Sequence, residues 1–206
     1  MKSPRRSAAD DSNTRTLLLD AAKDLMVEEG YAAVSSRRVA TKAGTNAALV
    51  YYYFDSMDGL FLELFRRGAE QSLARQARVL SSAQPLWGLW DAAHDQSSNA
   101  LTMEFIALAN HRKSIRAEIS SYSKKFRRMQ LEVMSSVLET YGIDSQEWPP
   151  ATIILMIAGI SRFLLMEKAF DVDIGHADMV ALVESHIREL EGERRTIHLA
   201  LADLQD

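Results

Sequence analysis

Apolar residues recur at helical intervals along almost the whole chain, and no clean alternation runs beyond a few residues. In "TRTLLLDAAKDLMVEEG", Leu18, Ala22, Leu25 and Met26 share one stripe of a first helix that Asn13 can cap and Gly30 can stop. Ser35 caps a short second helix over about 36–43, with Val39, Ala40 and Ala43 facing inward. Gly44 breaks it, Asn46 caps again, and a third helix covers about 47–53. Ser56 opens a long fourth helix reaching about Leu80, with Leu60, Leu64, Gly68 and Ala69 along one side. Asp58 lies in its first turn, where the helix dipole favours an acid.

After "SSAQP" the pattern predicts helices over about Leu86–His94, Ser98–Asn110 and Arg112–Tyr141. "GIDSQEWPP" is the clearest loop of the second half, and Pro150 suits the start of a helix over about 150–170. A loop "DVDIG" leads to a last helix from about His176, with Val180, Val183, Ile187 and Leu190 at packing intervals. The fold expected is all-α, without internal repeats. Its divisions are a flexible basic arm at 1–13, a small three-helix unit at 14–56, a connecting helix at 57–84, and a larger all-helical body at 85–206.

Composition narrows the chemistry. There is no cysteine, which removes disulfides, thiolate metal sites and cysteine nucleophiles, and is compatible with a cytoplasmic location. "MKSPRRSAADDSN" has charges but no apolar run, so it reads as no secretory signal. "ATIILMIAGISRFLLMEKAF" is interrupted by Arg162; it reads as too short and too charged to span a membrane, and as a buried helix instead. Net charge is −4, but up to Gly68 there are 10 Lys/Arg against 9 Asp/Glu, about +1, leaving about −5 for the rest. The five histidines (94, 111, 176, 186, 198) never pair at metal-ligand spacing, and Asp171, Asp173 and His176 fit an ordinary turn better than a metal site. No Ser/His/Asp set, P-loop or dinucleotide fingerprint is visible, so neither a catalytic residue nor a cofactor is expected.

Two short helices joined by the tight turn "AGTN" form a helix-turn-helix whose second member can lie in a major groove. By spacing alone this is only suggestive. "GYAAVSSRRVATKAGTNAALVYYYFDSMDGLF" adds Gly30-Tyr31, Arg37-x-Val39-Ala40, Ala43-Gly44, Tyr51-x-Tyr53-Phe54, Ser56 and Leu60 in order. It resembles the N-terminal DNA-binding domain of the TetR family of bacterial transcription regulators over about residues 14–66; beyond that only the all-helical plan agrees.

The resemblance implies that Tyr51 and Tyr53 project toward DNA phosphates, with Val50 and Phe54 packed inward. A phenol hydroxyl is a good phosphate donor and needs little ordering. A helix this short cannot bury three successive positions, so at most one of the three tyrosines is a core aromatic, and Tyr52 lies over a base edge or sugar. Ser35, Ser36, Arg37, Arg38 and Lys42 supply further backbone contacts. Thr45, Asn46, Ala47, Ala48, Leu49 and Tyr52 form an uncharged reading set suited to thymine methyls and an Asn–adenine pair; Asn46 competes with itself as a helix cap. Three departures from the family pattern stand out. Ser36 and Arg38 replace an apolar and an acidic residue, Met57 replaces a lysine that would meet a phosphate, and Leu49 replaces a Thr or Ala. The arm "KSPRR" either enters a minor groove or is simply solvated.

A single half-site module with few cations binds weakly, so double-stranded DNA with a palindromic operator and a homodimer are the implied partners. Ile153, Met156, Ile157 and Ile160 on the 150–170 helix, with Val180, Val183 and Ile187 on the last, are the candidate dimer interface, and Gly159 permits close approach. The family's body senses a small molecule. Trp87, Trp90, Met103, Phe126, Met129, Met134, Phe163 and Met166 are the candidate pocket for a hydrophobic effector, though such a set is also what a plain core looks like. "SKKFRRM" (Ser123–Met129) is either a solvated face or a cradle for a phosphate-bearing ligand such as an acyl-CoA. The reading is a ligand-responsive repressor. The alternative is a helical ligand carrier or interaction protein whose helix-turn-helix no longer reads DNA, with a helical enzyme a distant third.

Overall fold

The computed structural model describes residues 8–94 and 96–195. Among these residues the regular structure is helical throughout: α1 (Ala8–Glu29), one tight helical turn (Tyr31–Ala33), α2 (Ser36–Lys42), α3 (Ala47–Phe54), α4 (Met57–Leu80), α5 (Pro85–Ala93), α6 (Gln96–His111), α7 (Lys113–Thr140), α8 (Pro150–Lys168) and α9 (His176–Glu191). The all-α expectation holds, and the chain groups into two compact units, one of Met1–Arg75 with Asp95–Met129 and one of Gln76–His94 with Gln130–Asp206.

α1 begins at Ala8, so Asn13 lies inside the helix and caps nothing, a correction to the expected start. Ser, Asp and Asn lower helix propensity, but acids in a first turn complement the dipole. Asp11 is also held from outside, by the Tyr53 hydroxyl at 2.8 Å. Tertiary bonding thus extends the helix into a stretch whose composition argues for a free arm. Residues 1–7, with the basic cluster, lie outside the described residues.

In the first unit Leu18, Met26, Val39, Val50, Leu60 and Leu64 pack with Phe105 and Leu108 of α6 and Ile115 of α7. Each such side chain contributes about 1.5–3 kcal/mol of transfer free energy. α6 does more than add apolar area. Its Glu104 accepts the Tyr31 backbone N–H at 2.7 Å, just after Gly30 turns the chain at φ 85°. Arg112, at the α6–α7 junction, pairs with Asp58 and lies over the Phe61 ring. The short helices are therefore clamped by elements a long way off in sequence.

In the second unit α5 packs on α8 and α9 and buries every residue from Pro85 to Trp90. Gln84 gives α5 no side-chain cap. Glu191 of α9 supplies it instead, accepting from Leu86 N at 2.8 Å, Trp87 N at 3.0 Å and the Tyr141 hydroxyl at 2.7 Å. An acid at a helix N-terminus answers both the orphan amides and the dipole. Trp87 Nε1 donates to the Gly192 carbonyl at 3.0 Å, and Gln84 Nε2 to the carbonyls of Glu191 and Glu193, both at 2.9 Å.

α8 departs from the expected buried helix. Ile154 and Ser161 are its buried residues, whereas Leu155 is 56% and Phe163 54% exposed, with Met156 and Met166 also exposed. At 19 residues and a mean hydropathy of 1.6 it is also long and apolar enough to cross a membrane by length and composition, so it is not too short, as the sequence suggested. The reason for its exposure is simple: a helix that is apolar all round needs more neighbours than one chain gives it, and α5 covers a single face.

Candidate nucleic-acid interface

α2 and α3 form the helix-turn-helix, and both caps form as the residue types predict. Ser35 Oγ accepts from Arg38 N at 3.4 Å, and Asn46 Oδ1 from Ala48 N at 2.9 Å. Gly44 makes the reversal at φ 65°, a left-handed conformation that a side chain resists. At the far end of α3, Ser56 Oγ accepts from Gly59 N at 3.0 Å and opens α4. A Cβ on Gly59 would fall on the Phe54 carbonyl oxygen, so this junction closes only around glycine.

Val50 and Phe54 are buried, which turns the other side of α3 outward. Tyr51 is 50% and Tyr52 69% exposed, both large values for aromatic rings on a short helix. The Tyr51 hydroxyl donates to Ser36 Oγ at 3.3 Å, which holds the phenol across α2. Tyr53 is half-buried; its hydroxyl is engaged by Asp11, and its ring meets Tyr52 edge-on at 4.9 Å. Of the three tyrosines it is the one closest to a core aromatic. Ala48 and Asn46 are exposed, Ala47 and Leu49 half-buried. Thr45 is half-buried as well, with its hydroxyl oxygen shut off from solvent and without a hydrogen-bond partner.

Arg37 is exposed. Arg38 and Lys42 carry partners that spacing did not announce. Arg38 Nη2 lies 2.5 Å from Glu29 Oε1, and Lys42 Nζ 2.7 Å from Glu28 Oε2, both acids being in the last turn of α1. The guanidinium hydrogen bond holds the Glu29 carboxyl below the ordinary glutamate range, and Glu28 raises the Lys42 ammonium. Only the packing of α1 against α2 reveals these two adjacent acids as counter-charges.

Residues 18–64, which hold this whole constellation, match the family model described as bacterial regulatory proteins, tetR family. The chain carries the N-terminal domain of the TetR family. It is 22% identical to the HTH-type transcriptional repressor BepR of Brucella suis, over 89% of this chain and 96% of that protein. A TetR transcription regulator from Haloarcula marismortui shares the fold at a TM-score of 0.68 and 16% identity, covering 87% of this chain and 97% of its own. The regulator FadR from Bacillus subtilis, solved in complex with stearoyl-CoA, does so at 0.62 and 18%, covering 87% and 99%.

Outside the TetR helix-turn-helix, the candidate pocket residues do not gather in one unit. Met103, Phe126 and Met129 belong to the first, Trp87, Trp90, Met134, Phe163 and Met166 to the second. Trp87, Trp90 and Met134 are buried, Phe126 and Met129 half-buried, and Met103, Phe163 and Met166 exposed. Around Phe126, Lys124, Lys125 and Arg128 are exposed, while Arg127 is half-buried with Nη1 unpartnered. Of the candidate dimer residues, Ile153, Ile157, Ile160, Val180 and Val183 are half-buried and Met156 is exposed. Ile187 instead is buried within its own unit.

Proposed function

We propose that this TetR-family regulator is a homodimeric repressor that holds a palindromic operator and is released by a small, apolar effector. The observation that carries the reading is on α2 and α3, where Tyr51, Tyr52 and Arg37 are exposed while the same helices bury Val39, Val50 and Phe54. Large amphipathic rings and a cation on short capped helices suit phosphate and base contact. Phosphates are held by Arg37, Arg38, Lys42, Tyr51 and Tyr53, with Arg38, Lys42 and Tyr53 exchanging Glu29, Glu28 and Asp11 for DNA. Ser35 and Ser36 support that row, and base edges meet Asn46, Ala47, Ala48, Leu49 and Tyr52, with Thr45 at the start of the turn.

In this reading residues 14–56 contact DNA, 57–84 connect, and 85–206 sense and pair. The exposed stripe of Leu155, Met156, Phe163 and Met166 on α8, continued by Met179, Leu182 and Leu190 on α9, supports pairing with a second copy. A Cβ on Gly159 would meet open space within the chain, so this face has room for a neighbouring backbone. A bilayer is the other apolar surface for α8. Against it stands the face that α8 gives to α5, with Ser161 fully buried. No membrane partner is assigned, and a cytoplasmic location follows from the same reading. The FadR relative was solved with stearoyl-CoA, which favours an apolar effector here too.

The test is retardation of the DNA flanking the protein's own coding region. Salt-sensitive binding that depends on both half-sites of a palindrome is expected. Absence of any such binding, with the fold intact, would replace the repressor by a helical ligand carrier.

A further inference from the structure

The contact between α5 and α8 lies within the second unit and contains one polar pair. Ser161 is 0% exposed. His94, which closes α5, meets it with Nδ1 3.3 Å from Ser161 Oγ. The same Nδ1 lies 2.8 Å from the Trp90 carbonyl oxygen. A backbone carbonyl only accepts, so Nδ1 carries the ring proton and donates to Trp90, with Ser161 Oγ at the edge of the same bond. In the neutral imidazole that leaves Nε2 as a bare lone pair. Among the described residues Nε2 has no hydrogen-bond partner and is shut off from solvent, and the ring lies against Trp90 with centroids 4.0 Å apart.

Buried acceptors without donors are few in native interiors, because desolvating them is costly. Here Trp90 fixes the tautomer through its carbonyl and the ring through its indole, and the one open ring position is an acceptor shut off from solvent. We propose that His94 Nε2 is the polar anchor of the effector site, accepting a hydrogen bond from an O–H or N–H group on an otherwise apolar ligand. This rests on the apolar-effector reading above and adds the ligand class: an alcohol, phenol or amide, not a carboxylate. A carboxylate offers only acceptors, so it would oppose the Nε2 lone pair unless the ring took up a proton. An acceptor site discriminates strongly against an analogue that lacks the donor, since the buried group is then left unpaired.

Thymol and thymol methyl ether are apolar rings of nearly equal size that differ in this one donor. In calorimetric titration of the intact protein, thymol is expected to bind about tenfold more tightly than the ether. In His94→Phe, which keeps an aromatic ring against Trp90, the ratio should fall to about one. In case that variant folds poorly, the wild type gives a second readout. The Nε2 resonance of nitrogen-labelled histidine should move with thymol and stay in place with the ether. Equal binding of both compounds, an unmoved resonance, or a ratio that persists in His94→Phe overturns the assignment, and equal binding leaves a resident water as the occupant of Nε2. Binding of neither compound overturns the apolar-effector reading together with it.

Discussion

Glu28 and Glu29 set the electrostatics of the DNA-facing side as much as the cations do. A Lys or Arg that already faces a carboxylate neutralises a phosphate only by giving up that partner; while paired it displaces few of the duplex's condensed counterions and adds little to the salt dependence of binding. In the proposed complex the paired Arg38 and Lys42 therefore leave Arg37 and the phenols as the main contacts at first encounter. The double variant Glu28→Gln, Glu29→Gln should tighten binding to non-operator DNA about tenfold at low salt and steepen its salt slope by about two. An unchanged slope in fluorescence anisotropy would show that the two cations never reach DNA. The acid behaviour has a definite sign. Glu29 is held below the ordinary glutamate range by Arg38, so its pair is intact above that range and is lost as pH falls through the lowered value. The part of the slope that Arg38 supplies should stay small down through ordinary glutamate titration and rise only below it. Tyr51→Phe separates the phenol from these charges. It removes a single donor and should weaken operator and random DNA alike by about 1 kcal/mol, again measured by anisotropy.

At the scale of elements, the short helices are held by their ends. Ser35→Ala should cost about 1 kcal/mol in chemical denaturation, since Ser35 Oγ is the acceptor at the start of α2. Asn46 carries two possible duties, and one substitution parts them. Asn46→Ser keeps a good capping oxygen, so stability should change by less than about 0.5 kcal/mol, whereas loss of an adenine pair would weaken the operator by about 1–3 kcal/mol and spare random DNA. These caps were legible because they depend on residue type and on neighbours two or three positions away. So were the buried faces of α1 and α2, which follow from helical period, whereas that of α3 came with the family resemblance. The true start of α1 was not legible, because Asp11 is secured by Tyr53 across the fold. Neither were the counter-charges of Arg38 and Lys42, the capping of α5 by Glu191, nor the grouping of α6 with the helix-turn-helix through Glu104. Each of these joins residues whose separation in sequence carries no local signal. α8 failed for a related reason: a helix that is apolar on every side announces burial without saying whether its own chain provides it.

For the whole molecule, the exposed side of α8 and α9 decides whether two reading heads act together. Specific dimers bury about 1,200–2,000 Å² in total, so a stripe of several large apolar side chains on each copy is of the right order. Because Leu155 and Phe163 are exposed in the single chain, replacing both by Asp removes little from its own core. Ile154→Asp is the contrasting change, since Ile154 is buried within the unit, and it should lower thermal stability by several degrees or more. Leu155→Asp, Phe163→Asp should leave the helical signal in circular dichroism intact, halve the mass in light scattering, and reduce operator affinity by a factor of about 100 or more, because the second half-site then binds as an independent event. A parent chain that is already monomeric, or a double variant that stays dimeric, would remove α8 from the interface. Co-sedimentation of the parent chain with neutral lipid vesicles, abolished by the same two changes, would assign the stripe to a bilayer instead. The Ser161–His94 contact argues against that outcome, since it binds one face of α8 to α5 through polar groups that hydrocarbon could not satisfy.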